Sequence, residues 1–292
     1  MNFLRGSGVA MITPFNDEGD VDYMAVVKVI DHIISGGIDY IVVMGTTAET
    51  ATLSDDERSK LVTKIIKTVK NRVPLVIGIG GNNTAKLVSE IKQTDLSEFK
   101  AILSVCPYYT LPSQEGIYQH YKNIALASSI PVILYNVPSR SGVSIDNETT
   151  VKLASDFSNI IGIKDATGDL ESVVSLLEIV PKDFHVISGD DALALPVVMS
   201  GGSGVISVIG GGLPSQVSKM IRLGLQGKFD DALKYHNQML EIVNLIFKEG
   251  NPSGIKVLSK HIGLCKNNLR LPLVPTTSAL CESIKKIYTQ IP

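Results

Sequence analysis

Eight short apolar runs, separated by stretches of helical pattern, constrain the fold more than any other feature of this sequence. Their starts lie roughly 19 to 34 residues apart, which is the spacing of repeated βα units. Each run is continuously apolar, as expected for a strand that is covered on both faces. The runs are SGVAMITPF (7–15), YIVVMG (40–45), PLVIGIGG (74–81), AILSVCP (101–107), PVILYNVP (131–138), IIGIKDAT (160–167), HVISGDD (185–191) and GVISVIGG (204–211).

The stretches between the runs carry helix-boundary signals. Ser54 and Glu57 have the spacing of a capping box, and Asp22 precedes an apolar stripe that two glycines close. Eight such units in succession predict an α/β fold, a (β/α)8 TIM barrel, over residues 1–226. A doubly wound sheet is the alternative. It requires a Gly-rich turn between a strand and a helix, whereas the GGSG at 201–204 precedes its strand.

The strand pattern ends near Gly227. The remaining sequence predicts three helices, at about 228–248, 252–262 and 276–290. We interpret residues 227–292 as a C-terminal helical extension that packs on the barrel and has no chemistry of its own.

Composition excludes several classes of function. The chain has 292 residues, 44% of them hydrophobic, and a formal net charge of −2, which suits one large α/β domain. It has no Lys/Arg block and no apolar run of membrane-spanning length, so neither nucleic acid nor a membrane is an expected partner. The start lacks a secretory layout and the three cysteines are widely spaced, so we expect reduced thiols and a cytoplasmic location. No His or Cys pair has metal-ligand spacing, so we expect neither a metal nor a cofactor.

The run IIGIKDATG contains Lys164, whose charged form is penalised by burial. Strand alternation places Lys164 on one face with Gly162 and Ala166. Ile161 and Ile163 are expected on the opposite face. The ordinary interpretation is a lysine at a strand end that reaches solvent. The functional interpretation, which the small neighbours favour, is a desolvated amine that attacks a carbonyl and forms a Schiff base.

The carboxyl ends of the strands supply the site in a barrel of this kind. Those ends offer hydroxyl, phenol and guanidinium groups at Thr46, Thr47, the tyrosines at 108–109, Tyr135 and Arg140. Each group also has an ordinary interpretation: turn chemistry for the threonines, core packing for the tyrosines and a surface ion pair for the arginine. We interpret Asp190 and Asp191 as a turn and a helix cap rather than as a metal site.

Considered together, these groups suit one reaction. A Schiff-base lysine needs a proton shuttle, and Tyr135, Thr46 and one tyrosine of the 108–109 pair would form a chain of hydroxyls. The amides and hydroxyls of Thr46 and Thr47 would bind the carboxylate of an α-keto acid. The forked guanidinium of Arg140 would bind the carboxylate of a second, acidic substrate.

The motifs GTTxE, PYY, YNVPSRSG, GIKDATG, SGDD and GVISV, in this order and spacing, resemble the dihydrodipicolinate synthase family. That family belongs to the pyruvate-dependent class I aldolase superfamily, which also contains N-acetylneuraminate lyase. The resemblance covers nearly the whole chain. Its most specific motif is YNVPSR, because similar neuraminate lyases lack a basic residue at that place.

The resemblance implies condensation of pyruvate with L-aspartate 4-semialdehyde to give 4-hydroxy-tetrahydrodipicolinate, on the route to diaminopimelate and lysine. It implies an imine between pyruvate and Lys164. It implies a proton relay of Tyr135, Thr46 and Tyr109, the last reaching in from a neighbouring subunit. The implied substrate-binding groups are Thr47, Arg140, Gly189 and the main chain at Ile206. The resemblance also implies a homotetramer built as a dimer of dimers.

Departures from the family pattern concern regulation. In lysine-inhibited members a carboxylate at the dimer interface binds the amine of lysine. The corresponding position here is Lys86, and two flanking positions are Asp55 and Arg58. A cation at that place disfavours a cationic ligand. We therefore expect weak or absent inhibition by lysine, although Asn82 and Tyr108 are retained.

Three other functions are considered beside this one. A pyruvate aldolase acting on a sugar acid is disfavoured by Arg140. A non-catalytic barrel that binds a keto acid would form no covalent adduct on Lys164. A phosphate-binding barrel would use Gly210–Gly212, but no Lys or Arg is near these glycines in the sequence.

Overall fold

The computed structural model describes residues 2–291. Within them, eight parallel strands form a closed barrel in chain order, with the last strand pairing back onto the first. The strands are β1 (Gly6–Ala10), β2 (Tyr40–Val43), β3 (Leu75–Gly78), β4 (Ala101–Val105), β5 (Val132–Asn136), β6 (Ile160–Asp165), β7 (His185–Ser188) and β8 (Gly204–Ser207). Each apolar run overlaps one strand, and the predicted (β/α)8 barrel is confirmed.

Helices connect the strands and complete the chain. They are α1 (Tyr23–Ser35), α2 (Asp55–Val69), α3 (Thr84–Gln93), α4 (Gln114–Ala127), α5 (Pro138–Ser141), α6 (Asn147–Asp156), α7 (Leu170–Ile179), α8 (Ala194–Met199), α9 (Pro214–Leu225), α10 (Phe229–Phe247), α11 (Ser253–His261) and α12 (Ser278–Tyr288). Short 3-10 turns lie at Asn2–Leu4, Thr46–Ala48, Thr50–Thr52 and Ile209–Gly211.

The helix starts follow from local chemistry. The Ser54 hydroxyl accepts from the Glu57 amide while the Glu57 carboxylate accepts from the Ser54 amide, so the predicted capping box is confirmed. The Asp22 carboxylate accepts from two amides in the first turn of α1. Each cap satisfies backbone donors that lack partners within the helix.

Two apolar clusters fill the fold, one inside the barrel and one between the strands and the helices around them. The inner cluster is built mainly from alternate strand positions, because successive side chains of a strand point to opposite sides. Its members are Leu4, Ala10, Tyr40, Val42, Val76, Ala101, Leu103, Ile133, Tyr135, Val137, Ile187 and Ile206. The inner cluster is packed beneath the carboxyl ends of the strands and closes the bottom of the site.

The pairing of β5 with β6 contains an irregularity that strand alternation does not predict. Consecutive residues of β5 pair with Ile160 and Gly162, so Ile161 is an extra residue, as in a β-bulge. Ile161 packs against the inner cluster, and the prediction that it faces outward with Ile163 is wrong. Beyond the bulge the alternation is regular, and Lys164 points into the barrel as predicted.

The C-terminal residues form the three predicted helices. α10 packs against α8 and α9, and α11 and α12 pack against α10. The helical region therefore lies on the barrel, as expected. Its treatment as a unit of residues 227–292, separate from a barrel of residues 1–226, stays a prediction.

The barrel closes where β8 meets β1 at very short range. Gly204 pairs with Gly6 and has a φ of +146°, and a Cβ built on Gly204 would lie 1.8 Å from the carbonyl oxygen of Gly6. Both the dihedral angle and the close approach therefore require glycine at this position.

We expect Gly204→Ala to lower the free energy of unfolding by roughly 2–4 kcal/mol, because the new Cβ must push β8 away from β1. Gly201→Ala is the matched control, since Gly201 has a φ of +108° but no atom within 4 Å of its Cβ position. The control should cost about 1 kcal/mol through backbone strain alone. Urea unfolding of both variants measures the difference, and equal losses would contradict the steric explanation.

Candidate active site

Lys164 is held in the barrel by the register of three neighbouring strands. It pairs with Tyr135 of β5 on one side and with Ile187 of β7 on the other. Lys164 is 5% exposed, and its Nζ atom lies 4.3 Å from the centre of the Tyr135 ring. The interpretation of Lys164 as a lysine that reaches solvent is therefore wrong.

The space around the Lys164 amine depends on a missing side chain. A Cβ built on Gly189 would lie 2.9 Å from Cε of Lys164 and 2.7 Å from Cβ of Ala166. Gly162, which the sequence also indicates as a source of space, has a different role. A Cβ there would lie 2.5 Å from the carbonyl oxygen of His185, so Gly162 permits the approach of β6 and β7.

Five of the predicted site residues line one cavity of about 600 Å³ at the carboxyl ends of the strands. They are Thr47, Tyr135, Arg140, Lys164 and Gly189. An adjoining cavity of about 680 Å³ is lined by Thr46 and Tyr108, and Tyr135 and Arg140 contribute to both. Tyr135, Arg140 and Lys164 thus bring a phenol, a guanidinium and an amine to the wall of one cavity.

Two of the predicted residues lie outside both linings. Ile206 is fully buried within the inner cluster, on the strand that pairs with β1. Tyr109 is 87% exposed and has a φ of +74°, which is a strained conformation for a tyrosine. Within a single chain, the structure does not bring Tyr109 to Lys164.

The loop that carries Thr46 and Thr47 turns sharply after β2. Met44 has a φ of +56°, and its carbonyl oxygen would lie 2.2 Å from a Cβ built on Gly78. Glycine at the end of β3 therefore makes room for the turn. Thr47 is buried and lines the first cavity, whereas Thr46 is exposed and lines the adjoining cavity.

A buried ion pair fixes the same loop to the C-terminal region. Glu49 has a φ of +53°, and its carboxylate lies 2.5 Å from Nζ of Lys256 on α11. The other carboxylate oxygen accepts from the main-chain amide of Arg270 at 3.0 Å. Burial lowers the pKa of Lys256, while the charge of Glu49 opposes that shift. Separating the pair would leave a charge buried without compensation, which is costly.

Sequence reasoning missed the C-terminal wall of the cavity. Residues of α10 and of the turn after it complete the lining at Val243, Asn244, Phe247, Lys248 and Asn251. The Asn251 side-chain amide donates to Oγ1 of Thr47, and the main-chain carbonyl oxygen of Asn251 accepts from Arg140. The expectation that this region has no chemistry of its own is therefore too narrow. The available signal is the Asn251-Pro252 pair, which stands at the start of the predicted helix at about 252–262.

The acidic residues near the site have structural partners. Burial raises the pKa of Asp165, whose carboxylate accepts from the Thr167 amide and hydroxyl. Asp190 accepts from the amides that follow it, as expected for a turn, and Asp191 caps the turn after β8. Among residues 2–291, no three His, Cys, Asp or Glu side chains are grouped to hold a metal ion.

Comparison with known proteins identifies the family. A sequence profile described as the dihydrodipicolinate synthetase family matches residues 3–291. The chain belongs to this family. The predicted resemblance is confirmed. In the same part of the chain that the structure describes, no helix is long and apolar enough to cross a membrane.

Relatives in the dihydrodipicolinate synthetase family are similar over their full length. The 4-hydroxy-tetrahydrodipicolinate synthase of Flavobacterium psychrophilum is 50% identical over 291 residues, covering 100% of this chain and 99% of that protein. The crystal structure of a chloride-inhibited dihydrodipicolinate synthase from Acinetobacter baumannii, complexed with pyruvate, is 36% identical. It has a TM-score of 0.95 and covers 99% of this chain and 100% of that chain. A lysine-bound family member from Cyanidioschyzon merolae is 31% identical, with a TM-score of 0.94 and coverage of 99% and 98%.

We expect Gly189→Ala to reduce imine formation at Lys164 by about 100-fold, because a displacement of the amine by 1 Å has effects of this order. The measurement is the rate at which pyruvate and borohydride modify Lys164, followed by mass spectrometry. Gly211→Ala is the control, since its Cβ would meet only ordinary contacts, the nearest at 3.7 Å. An undiminished rate in Gly189→Ala would show that Lys164 does not need this space.

Proposed function

We propose that this chain is a lyase that condenses pyruvate with L-aspartate 4-semialdehyde to form 4-hydroxy-tetrahydrodipicolinate, on the route to diaminopimelate and lysine. One observation carries the proposal: the buried Lys164 amine lies beside the Tyr135 ring in a cavity that Arg140 also lines. Membership of the dihydrodipicolinate synthetase family supports it independently.

Lys164 is the nucleophile. Its amine adds to the keto carbon of pyruvate and, with loss of water, forms an imine. Loss of a methyl proton gives an enamine, whose terminal carbon bonds to the aldehyde carbon of the second substrate. The amino group of that substrate then displaces Lys164 from the imine carbon, which closes the ring and returns the free amine.

Proton transfer is assigned to Tyr135, Thr46 and Tyr109. Tyr135 supports this role because its ring contacts the Lys164 amine and it lines both cavities. Thr46 lines the adjoining cavity, to which Tyr135 also contributes. The exposed side chain of Tyr109 is available to a neighbouring subunit, whose relay it would complete.

The two carboxylates bind at different groups. Thr47 and the main chain at Ile206 hold the carboxylate of pyruvate, and Gly189 is a further substrate-binding position. Arg140 binds the carboxylate of L-aspartate 4-semialdehyde, because a guanidinium presents paired donors that match a carboxylate. The exposure of Arg140 at the mouth of the cavity suits a group that meets the second substrate as it enters.

The proton relay assigned above requires a second subunit, because Tyr109 would enter it from a neighbouring chain. We propose a cytoplasmic homotetramer, a dimer of dimers in which Tyr109 of each subunit enters the site of its neighbour. The strained, exposed conformation of Tyr109 supports this arrangement, because such a conformation is retained only where surrounding contacts require it.

The central test is covalent trapping. Incubation with pyruvate and borohydride should add one pyruvate-derived mass to Lys164, and a coupled assay should show condensation with L-aspartate 4-semialdehyde. Lys164→Arg keeps the positive charge but should abolish the adduct and lower kcat by roughly 1000-fold. Absence of the adduct would favour a non-catalytic keto-acid-binding barrel. An adduct followed by reaction with a sugar-derived aldehyde instead would favour a sugar-acid aldolase.

Regulation by lysine is expected to be weak. The positions that resemble the family's effector pocket line the adjoining cavity, and there the Asn82 side chain donates to the Tyr108 carbonyl at 3.1 Å. Arg58 pairs with Glu90 at 2.9 Å, and Lys86 is exposed. Lys86 has no salt bridge within residues 2–291, so its ammonium would repel the amine of a lysine ligand.

Millimolar L-lysine should leave the initial rate of the wild type unchanged within about twofold, because the exposed Lys86 ammonium repels the amine of a lysine ligand at this position. Lys86→Glu places a carboxylate at this position and should introduce measurable inhibition, and Lys86→Gln is the neutral control. Strong inhibition of the wild type by lysine would contradict the prediction.

A further inference from the structure

Asn251 lies at the junction between the C-terminal helices and the active site. It occupies the turn between α10 and α11, is 8% exposed, and lines both cavities. It is thus a polar residue, buried at the point where the carboxylate-binding groups of the proposed function meet.

Asn251 contacts two of those groups directly. Its Nδ2 atom donates to Oγ1 of Thr47 at 3.0 Å, and its main-chain oxygen accepts from Nη2 of Arg140 at 3.3 Å. The first contact joins residues that are 204 positions apart in the chain, and the second joins residues 111 apart. One residue therefore connects the two carboxylate-binding groups.

The direction of the hydrogen bond to Thr47 matters for substrate binding. A hydroxyl has one proton to donate and two lone pairs that accept. Because Oγ1 of Thr47 accepts from the Asn251 amide, its own proton stays available for a carboxylate. The bond to the main-chain oxygen of Asn251 occupies one of the five donors of Arg140 and restricts the rotation of its side chain, which leaves the other donors for a ligand.

The turn that carries Asn251 is itself fixed. A Cβ built on Gly254 would lie 2.1 Å from the carbonyl oxygen of Ile246, so α10 and α11 meet in close contact. Lys256, further along α11, is ion-paired with Glu49 in the loop that carries Thr47. Asn251 and Thr47 are therefore held at a defined separation from both sides.

We propose that Asn251 is a positioning residue that orients the Thr47 hydroxyl and the Arg140 guanidinium toward the two substrate carboxylates. The inference rests on the proposed function, since it assigns Asn251 to the same site. It makes the C-terminal region part of the substrate-binding apparatus.

Asn251→Asp tests the direction of the bond. The variant has nearly the same shape, but its carboxylate accepts a hydrogen bond from the Thr47 hydroxyl. The Thr47 hydroxyl is then no longer free to donate to the carboxylate of pyruvate. We expect the KM for pyruvate to rise about tenfold, the effect of losing one hydrogen bond to a charged group. The main-chain contact with Arg140 remains, so the KM for L-aspartate 4-semialdehyde should change much less. Asn251→Ser, which is shorter and uncharged, should also raise the KM for pyruvate and replaces Asn251→Asp if that variant does not fold.

Asn244→Asp is the matched control for charge. Asn244 lines the same cavity from α10 and is exposed, so the variant adds an equal charge without a contact to Thr47. It should raise the KM for pyruvate less than half as much as Asn251→Asp. Equal effects of the two variants would attribute the result to charge and overturn the proposal.

A double-mutant cycle with Thr47→Val completes the test. Valine has the shape of threonine but no hydroxyl, so Asn251→Asp in this background has no hydroxyl to hydrogen-bond and should raise the KM for pyruvate no more than the added charge of Asn244→Asp does. Additive effects would overturn the proposal. The wild-type protein separates this inference from the proposed function. If the proposed function is wrong, the wild type will give neither a borohydride-trapped pyruvate adduct nor condensation.

Discussion

The closure of the parallel barrel is the constraint on which the rest of the structure depends. Closure requires β8 to lie against β1, and the absence of a side chain at Gly204 permits this, because a Cβ there would lie 1.8 Å from the carbonyl oxygen of Gly6. Once closed, the barrel has no free strand edge, and all carboxyl strand ends meet at one rim. Lys164, Tyr135 and the Thr46–Thr47 loop come from different strands and meet only for that reason.

Within this frame, the site is built from a desolvated amine and a wall of fixed polar groups. The inner cluster of apolar side chains closes the barrel beneath Lys164, and the absence of a side chain at Gly189 leaves space beside the Lys164 side chain. The polar wall is held from outside the barrel, through the Lys256–Glu49 ion pair and the Asn251 contacts. Such outer support suits an enzyme of this type, because binding groups act best when their positions are fixed before the substrate arrives.

Periodicity and local chemistry predicted most of the fold. The eight strands, the capping box at Ser54 and the three C-terminal helices all lie where the sequence indicates them. The error at Ile161 arose because a β-bulge adds one residue and changes the face of its neighbours, and no local signal marks that insertion. At the site, strand alternation predicted the inward direction of Lys164. It gave no information about Asn251, whose partners are distant in the chain.

The sequence by itself determined the repeated βα pattern, the position of the candidate nucleophile Lys164 on the sixth strand and the motifs that indicate the family, because each of these depends on residues that are neighbours in the chain. Only the tertiary structure decided which groups share a cavity, that Tyr109 is exposed rather than beside Lys164, and that α10 and Asn251 form part of the site wall. The physical reason is that strand and helix patterns are set by contacts between neighbours in the chain. The site is set by contacts between residues as far apart as Thr47 and Asn251, which come together only when the barrel closes and the C-terminal helices pack on it.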